Sequence, residues 1–308
     1  MRYTIRQIEV FVAVARSESV SRAAEALSLS QSAASSALAE LENQFSQQLF
    51  DRHGKRLRLN EQGRMLLPRA VELLDRAAEI EAMLRGERGL GDLRVGATLT
   101  IGNYLLPLIV AGYLQRHPES RVQLQVHNTA TIASQLLHYE IDLGLIEGQV
   151  RDAELDSEPW VEDELVVFCA PDHPLALRRV ATPEELAVQP WILREQGSGT
   201  RETFNEALRH LPRGITPRLE LEHTEAVKRA VESGLGIGCI SRLALRDAFR
   251  RGSLVAVETP DLDLRRSFNF VWHRGKYQTA AIRQFLQDCR SFTAGAQRSD
   301  QIPLPPVP

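Results

Sequence analysis

The 308-residue chain has only three cysteines, and none is close to another. Cys169, Cys239 and Cys289 form no CxxC pair and no metal-ligand spacing, and each lies in an apolar or helical stretch. Free buried thiols in a reducing compartment are expected, with no disulfide and no metal. No apolar run approaches the roughly 18 residues that a membrane-spanning helix needs, and no secretory leader is recognised. A soluble, cytoplasmic protein without a membrane partner is therefore expected. Catalytic signatures are missing too. There is no Gly-x-Ser-x-Gly elbow, P-loop, zinc-ligand cluster or carboxylate pair in acid/base spacing. Ser198, in Gly-Ser-Gly, has no identifiable histidine partner. Neither an enzyme nor a bound cofactor is expected. Net charge is also scarce, at −3, so its distribution matters more than its sum.

The most informative stretch present is residues 20–42. It reads as two short helices joined by a tight polar turn. The first buries Ala23, Ala24 and Leu27. The second buries Ala34, Leu38 and Leu41 at one-face helical spacing, and Ser30 is placed to cap it. The opposite face carries Gln31, Ser32, Ser35 and Ser36. An ordinary solvated face carries Glu and Lys. Short hydrogen-bonding side chains let a helix backbone approach base edges in a DNA major groove. The plainer alternative is an alanine-rich helical hairpin with a polar exterior.

The flanks favour DNA. Thr4 with Gln7 fits a capping box, and Ile8, Phe11, Val12 and Ala15 form the stripe of a helix over 4–15. Residues 49–59 alternate apolar and basic side chains about a turn at His53-Gly54, as a short hairpin does. Such a wing places Arg52, His53, Lys55 and Arg56 beside phosphates, with Arg58 near. Residues 1–58 hold eight Arg and Lys against six acids, so each copy binds DNA only modestly without sequence preference. Multivalency must supply the rest.

The chain here resembles LysR-type transcriptional regulators. The residues that carry the resemblance are Phe11, Ala23-Ala24-Glu25-Ala26-Leu27, Ser30-Gln31-Ser32-Ala33, Leu41-Glu42 and Leu49-Phe50-Asp51-Arg52. It continues to about residue 290. It implies an N-terminal all-α winged helix-turn-helix with a long linker helix, then a C-terminal α/β bilobed effector domain like the periplasmic binding proteins.

Residues 61–88 keep apolar residues at helical spacing (Leu66, Leu67, Ala70, Leu73, Leu74, Ala77, Ile80, Leu84), roughly 42 Å of helix at about 1.5 Å per residue. A small winged domain cannot cover that stripe. A homodimer through this helix is expected, and the resemblance implies a homotetramer on double-stranded promoter DNA, with RNA polymerase a candidate partner. The expected divisions are 1–60 for the DNA reader and 61–90 for linker and hinge. Residues 91–295 form the effector domain, with lobe I at 91–164 and 267–295 and lobe II at 165–266. Residues 296–308 are expected to be a disordered tail ending Ile-Pro-Leu-Pro-Pro-Val-Pro.

From Leu93 strands and helices alternate, giving mostly parallel sheets whose ligands bind beyond the strand ends. Those ends carry Thr98-Leu99-Thr100 in one lobe and Ser198-Gly199-Thr200-Arg201 in the other. Both sit at helix starts, where N–H groups favour anions. Arg194 and Arg201 are expected to clamp an oxyanion. Glu147 points to the same cleft, to hold an arginine or accept from a ligand donor, and Glu225 is similarly placed. Simple helix capping is the competing account of the hydroxyls. Within the family, the 96–107 stretch, Ile-Glu-Gly at 146–148 and 194–201 are similar to regulators of sulfite reduction and of carbon-fixation operons. That implies a small anionic effector: sulfite, sulfate or a small organic or phosphorylated acid. A transport solute-binding protein is the competing class, and the DNA-reading segment argues against it.

Overall fold

A computed structural model describes residues 2–53, 56–86, 89–210 and 215–303. The N-terminal unit is α1 (Ile5–Ser17), α2 (Val20–Ala26), α3 (Gln31–Phe45) and a ribbon of β1 (Phe50–His53) and β2 (Arg56–Leu59). The Thr4–Gln7 capping box starts α1, and Glu18 in the left-handed region ends it. Val10 and Val14 are buried along with the expected stripe, because α2 and α3 cover one side of α1 and α4 the other. Phe11 meets Phe50 at 5.6 Å between ring centroids. This ties the first helix to the ribbon.

The linker helix α4 (Glu61–Arg85) is shorter than the expected 61–88. Gly86 adopts a left-handed conformation and closes it. Leu67, Ala70 and Val71 pack on the N-terminal core, whereas Met83 and Leu84 are 79% and 84% exposed.

The C-terminal unit contains β3 (Asp92–Ala97), α5 (Leu99–Tyr104), α6 (Leu106–Arg116), β4 (Arg121–Val126), α7 (Thr129–Leu137), β5 (Leu143–Glu147) and the long β6 (Leu155–Cys169). Then come α8 (Pro174–Arg178), α9 (Pro183–Ala187), β7 (Trp191–Arg194), α10 (Gly199–Ala207), β8 (Pro217–Leu221), α11 (Thr224–Glu232) and β9 (Ile237–Ser241). The last are α12 (Arg242–Arg251), β10 (Val255–Val257), β11 (Arg265–His273), α13 (Ala280–Phe292) and a 3-10 turn at Ser299–Gln301. Two helices rather than one follow β3, because the chain breaks at Leu105 and restarts with Pro107 in its first turn. Proline suits that place, where its missing N–H costs nothing.

The strand order is β4-β3-β5-β11-β6-β9-β7-β8, with β10 on β6. β6 belongs to both lobes. Residues 155–164 pair with β11, and 165–169 pair with β9 and β10. Its first half escapes a sequence reading because Pro159 interrupts it. The structure accommodates Pro159 at a register shift opposite Phe268 and Asn269. Lobe I is centred on Val95, Tyr113, Phe268, Phe270 and Phe285, and lobe II on Trp191, Phe204, Leu165 and Val167. All three cysteines are free and buried.

The tail departs from the expectation of disorder. Residues 297–302 are docked: Gln301 Oε1 accepts from the Gln297 and Arg298 N–H groups, and Ile302 is fully buried in the lobe I core. That burial supplies the apolar contact a disordered proline-rich segment lacks. Residues 304–308 lie outside the described residues.

Candidate functional site

Two surfaces concentrate the chemistry. The first is the start of α3. Ser30 sits in extended backbone and its hydroxyl accepts from the Ala33 N–H at 3.1 Å. With Ala34, Leu38 and Leu41 turned into the core, Gln31, Ser32, Ser35 and Ser36 are all exposed. The ribbon is fixed to the end of α1 by the Leu57 N–H donating to the Glu18 carbonyl. Phe50 pairs with Leu59 and faces the core, while Arg52, Arg56 and Arg58 are exposed. The His53 side chain and Lys55 lie outside the described residues.

The second lies between the lobes, where the structure gathers residues 98–100, 147 and 198–200. Glu147 ends β5 and is fully buried. The Thr98 hydroxyl accepts from its N–H at 3.0 Å. Its carboxylate accepts from the Thr100 N–H at 2.6 Å and, across the cleft, from the Thr200 hydroxyl at 3.0 Å. Thr98 and Ser198 stand at the N-caps of α5 and α10, and neither side chain caps its helix. Gly199 is required by contact: a Cβ there would lie 2.0 Å from the Glu147 carbonyl oxygen. Its N–H donates to Thr129 Oγ1, and the Ala130 N–H donates to the Gly197 carbonyl. The lobes are thus closed on each other along 197–200. Leu99 is buried beside them.

The positive charge at this junction comes from an arginine that sequence reasoning missed. Arg266, at the start of β11, donates from Nε to Asp163 at 2.7 Å and from Nη1 to Thr200 Oγ1 at 2.9 Å. Its Nη2 is ion-paired with Glu147 Oε2 at 2.9 Å, a contact out of line for an ideal hydrogen bond. Burial alone pushes the Glu147 carboxyl up. Arg266, then Arg194, then Thr100 outweigh that and hold it below the usual carboxylate range. Burial pushes Asp163 the other way, upward, despite Arg266 and the Ser299 and Ser241 hydroxyls. One cation therefore separates two carboxyls of opposite tendency. The available signal was an arginine opening an otherwise apolar strand. Asp163, inside Glu-Asp-Glu, reads as solvated surface.

Three expected residues are employed differently. Arg194 is buried but forks onto Glu195 at 2.8 and 2.9 Å. Arg201 donates to the Arg194 carbonyl, Glu220 and Asn205. It braces β7 against β8 and does not reach Glu147, because those nearer acceptors satisfy its guanidinium. Glu225 has a side chain 59% exposed and pairs with Lys228 at 2.7 Å and with the Tyr104 hydroxyl. It makes a separate contact between lobes.

No group of His, Cys, Asp and Glu able to hold a metal occurs among the described residues, and no described helix is long and apolar enough to cross a membrane. The LysR substrate binding domain matches residues 86–294, and the bacterial regulatory helix-turn-helix of the lysR family matches 5–64. The chain is 47% identical over 290 residues to the uncharacterised HTH-type transcriptional regulator YeiE of Escherichia coli K12, covering 94% of this chain and 98% of that one. It is 34% identical to the RuBisCO operon transcriptional regulator of Allochromatium vinosum, covering 93% and 95%. Among solved structures, the regulatory domain of Synechocystis PCC6803 CcmR in complex with 2-PG superposes with a TM-score of 0.62 at 27% identity, covering 67% of this chain and 99% of that one.

Proposed function

The chain belongs to the LysR family of DNA-binding transcriptional regulators with a small-effector domain, and from that premise we propose that its effector is a small oxyanion bearing a proton, held between the lobes at Glu147. The observation that carries this reading is the ring of donors around that carboxylate: the Thr100 N–H, the Thr200 hydroxyl and Arg266 Nη2, 2.9 Å from its Oε2. These groups suit an anion, yet one carboxylate already draws on all three. A second full anion beside it is repelled. An oxyanion with an O–H donates that proton to Glu147 and accepts from Arg266 and the hydroxyls of Thr98, Thr100 and Ser198. Hydrogensulfite and a monoprotonated phosphate ester fit this description. The 2-PG bound by CcmR is of the second chemical kind.

In this reading Gln31, Ser32, Ser35 and Ser36 meet base edges, and Arg52, His53, Lys55 and Arg56 meet phosphates. Leu99 and Gly199 shape the pocket, Arg194 adds charge from behind, and Arg201 and Glu225 support the walls. Two copies join through α4 and two dimers assemble on promoter DNA in the cytoplasm, with no catalysis. Effector binding changes lobe packing only through its differential affinity for the closed form. The test is calorimetric titration of the full-length protein with sulfite, sulfate and phosphate, paired with DNA binding. Binding of an oxyanion that is lost in Thr100→Ala and Thr200→Val, with DNA binding retained, is expected. Undiminished binding in both variants overturns the assignment and leaves the two turns as plain helix starts.

A further inference from the structure

The C-terminal segment that docks after α13 touches the hinge at one informative point. Ser299 is buried, and its hydroxyl donates to Asp163 Oδ1, the atom that also accepts from the Ser241 hydroxyl at 2.7 Å. The other oxygen of Asp163 accepts from Arg266 Nε. A continuous chain of contacts thus runs from the tail to the effector site: Ser299, Asp163, Arg266, Glu147. The segment is anchored on both lobes. Ile302 inserts into the lobe I core, while its carbonyl accepts from Arg246 of α12 in lobe II at 2.7 Å. Arg298 pairs with Glu164 at 3.1 Å and with Asp300 at 2.9 Å, and it bridges to Glu162 along the strand. These anchors fall at residues 162–164, where β6 exchanges its lobe I partner for its lobe II partners.

We propose that residues 297–302 are a working strap of the effector site, in which Ser299 acts as a positioning residue that fixes Asp163 and, through it, aims Arg266 at the bound oxyanion. The proposal rests on the effector reading above. Its physical basis is geometric. A guanidinium has five donors on a rigid plane, so fixing Nε on Asp163 fixes the direction of both terminal nitrogens. One of these meets Thr200 and the other faces Glu147. Asp163 has two oxygens, and three donors from three separate elements (β9, β11 and the 3-10 turn) hold it in one rotamer. Without Ser299, a wholly buried carboxyl keeps one hydroxyl donor and one cation, and Arg266 loses its fixed reference.

The charged and titratable groups around Asp163 are Arg266, with Glu147 beyond it, on the cleft side and Arg298 on the strap side. Burial already pushes Asp163 upward, and removing a donor to its ionised form pushes it further. Strap contact is therefore readable in a pH profile.

The experiment uses full-length protein and whichever of sulfite, sulfate and phosphate binds the wild type. Oxyanion affinity is measured across pH for Ser299→Ala, Ser299→Thr and a chain ending at Ala296. Ser299→Ala is expected to bind about tenfold more weakly, the effect of one lost hydrogen bond to a charged group. Its pH midpoint moves upward. Threonine, which keeps the hydroxyl, restores both, and the truncated chain loses binding. The ligand's own titration is common to all variants, so a difference in midpoint reports the protein. Wild-type affinity and midpoint in Ser299→Ala overturn the proposal while leaving the effector reading intact. If the wild type binds none of the three anions, the effector reading fails. Hydrogen exchange then decides the strap alone: faster exchange at 161–165 and 265–267 in the truncated chain is expected, and unchanged exchange there overturns it.

Discussion

Glu147 carries a charge that a purely cationic pocket would not contain, and its replacement separates the possibilities. In Glu147→Gln the requirement for a proton on the ligand disappears. Sulfate, which has none to give near neutral pH, is expected to gain affinity relative to sulfite, and calorimetry reads the exchange. The same variant tests acid stability. Because the folded Glu147 is held below its ordinary value, its contribution to stability is fully present above the unfolded value of about 4.3 and is lost as pH falls through the folded one. Glu147→Gln should therefore show a shallower acid-side loss in urea titrations below about pH 4. Arg201→Ala has a different expected outcome. It leaves the Arg194 carbonyl without its donor and costs about 1–3 kcal/mol of stability, with oxyanion affinity within about threefold of wild type. On the DNA side, Gln31→Ala is expected to relax sequence preference by about 1–3 kcal/mol. Arg56→Ala should weaken all sequences alike and lower the salt slope by about one. Competition titrations with specific and random duplexes distinguish these two behaviours.

At the scale of elements, α4 shows where periodicity reads well and where it misleads. Its stripe was legible, but Leu73 and Leu74 pack on their own N-terminal core, and Met83 and Leu84 at the far end stay exposed. Met83→Glu with Leu84→Glu should therefore split a dimer without unfolding the protomer. Light scattering that still reports a dimer, with unchanged DNA affinity, places the interface elsewhere. The DNA-reading unit was legible almost throughout, because caps, turns and one-face spacing are local. The candidate site between the lobes was half legible. Thr98, Glu147 and Thr200 lie at strand and helix ends, where topology alone puts ligands. Arg266 and Asp163 were not, because they meet across 103 residues of sequence and each looks locally like solvated charge. Residues 297–302 were misread for a related reason: Ile302 is their one apolar residue, and the partners that hold them, the lobe I core around Ile302, Asp163 for Ser299 and Glu164 for Arg298, are all distant in sequence.

Across the whole molecule, the two units are bound by a buried charge cluster on α4. Lys276 lies 2.6 Å from Asp75 of the linker helix and 2.8 Å from Asp142. Arg94 grips Asp142 at 2.6 and 3.1 Å. Burial pushes Asp142 up, and Lys276 and Arg94 more than reverse this, leaving it far below the usual range. Tyr139 crosses from the effector domain into the N-terminal core and shares a 2.7 Å hydrogen bond with His273. Lys276→Met strands Asp75 while Asp142 keeps Arg94, at an expected cost of about 3–5 kcal/mol. It should also uncouple the units. Oxyanion binding should persist while its effect on DNA affinity falls, and an unchanged effect would assign coupling to another contact.

Closure of the lobes along 197–200 has a consequence in time. Thr98, Thr100, Glu147, Ser198, Thr200 and Arg266 are all buried, so in the effector reading proposed above a ligand would reach them only when the lobes part. Entry and exit both wait for the lobes to part. Capture then saturates at the opening rate as concentration rises, whereas release is slow at any concentration. A regulator of the kind proposed would average its signal. A brief pulse of effector, shorter than the interval between openings, leaves no trace on the promoter, and a sustained one is remembered after the supply has ceased.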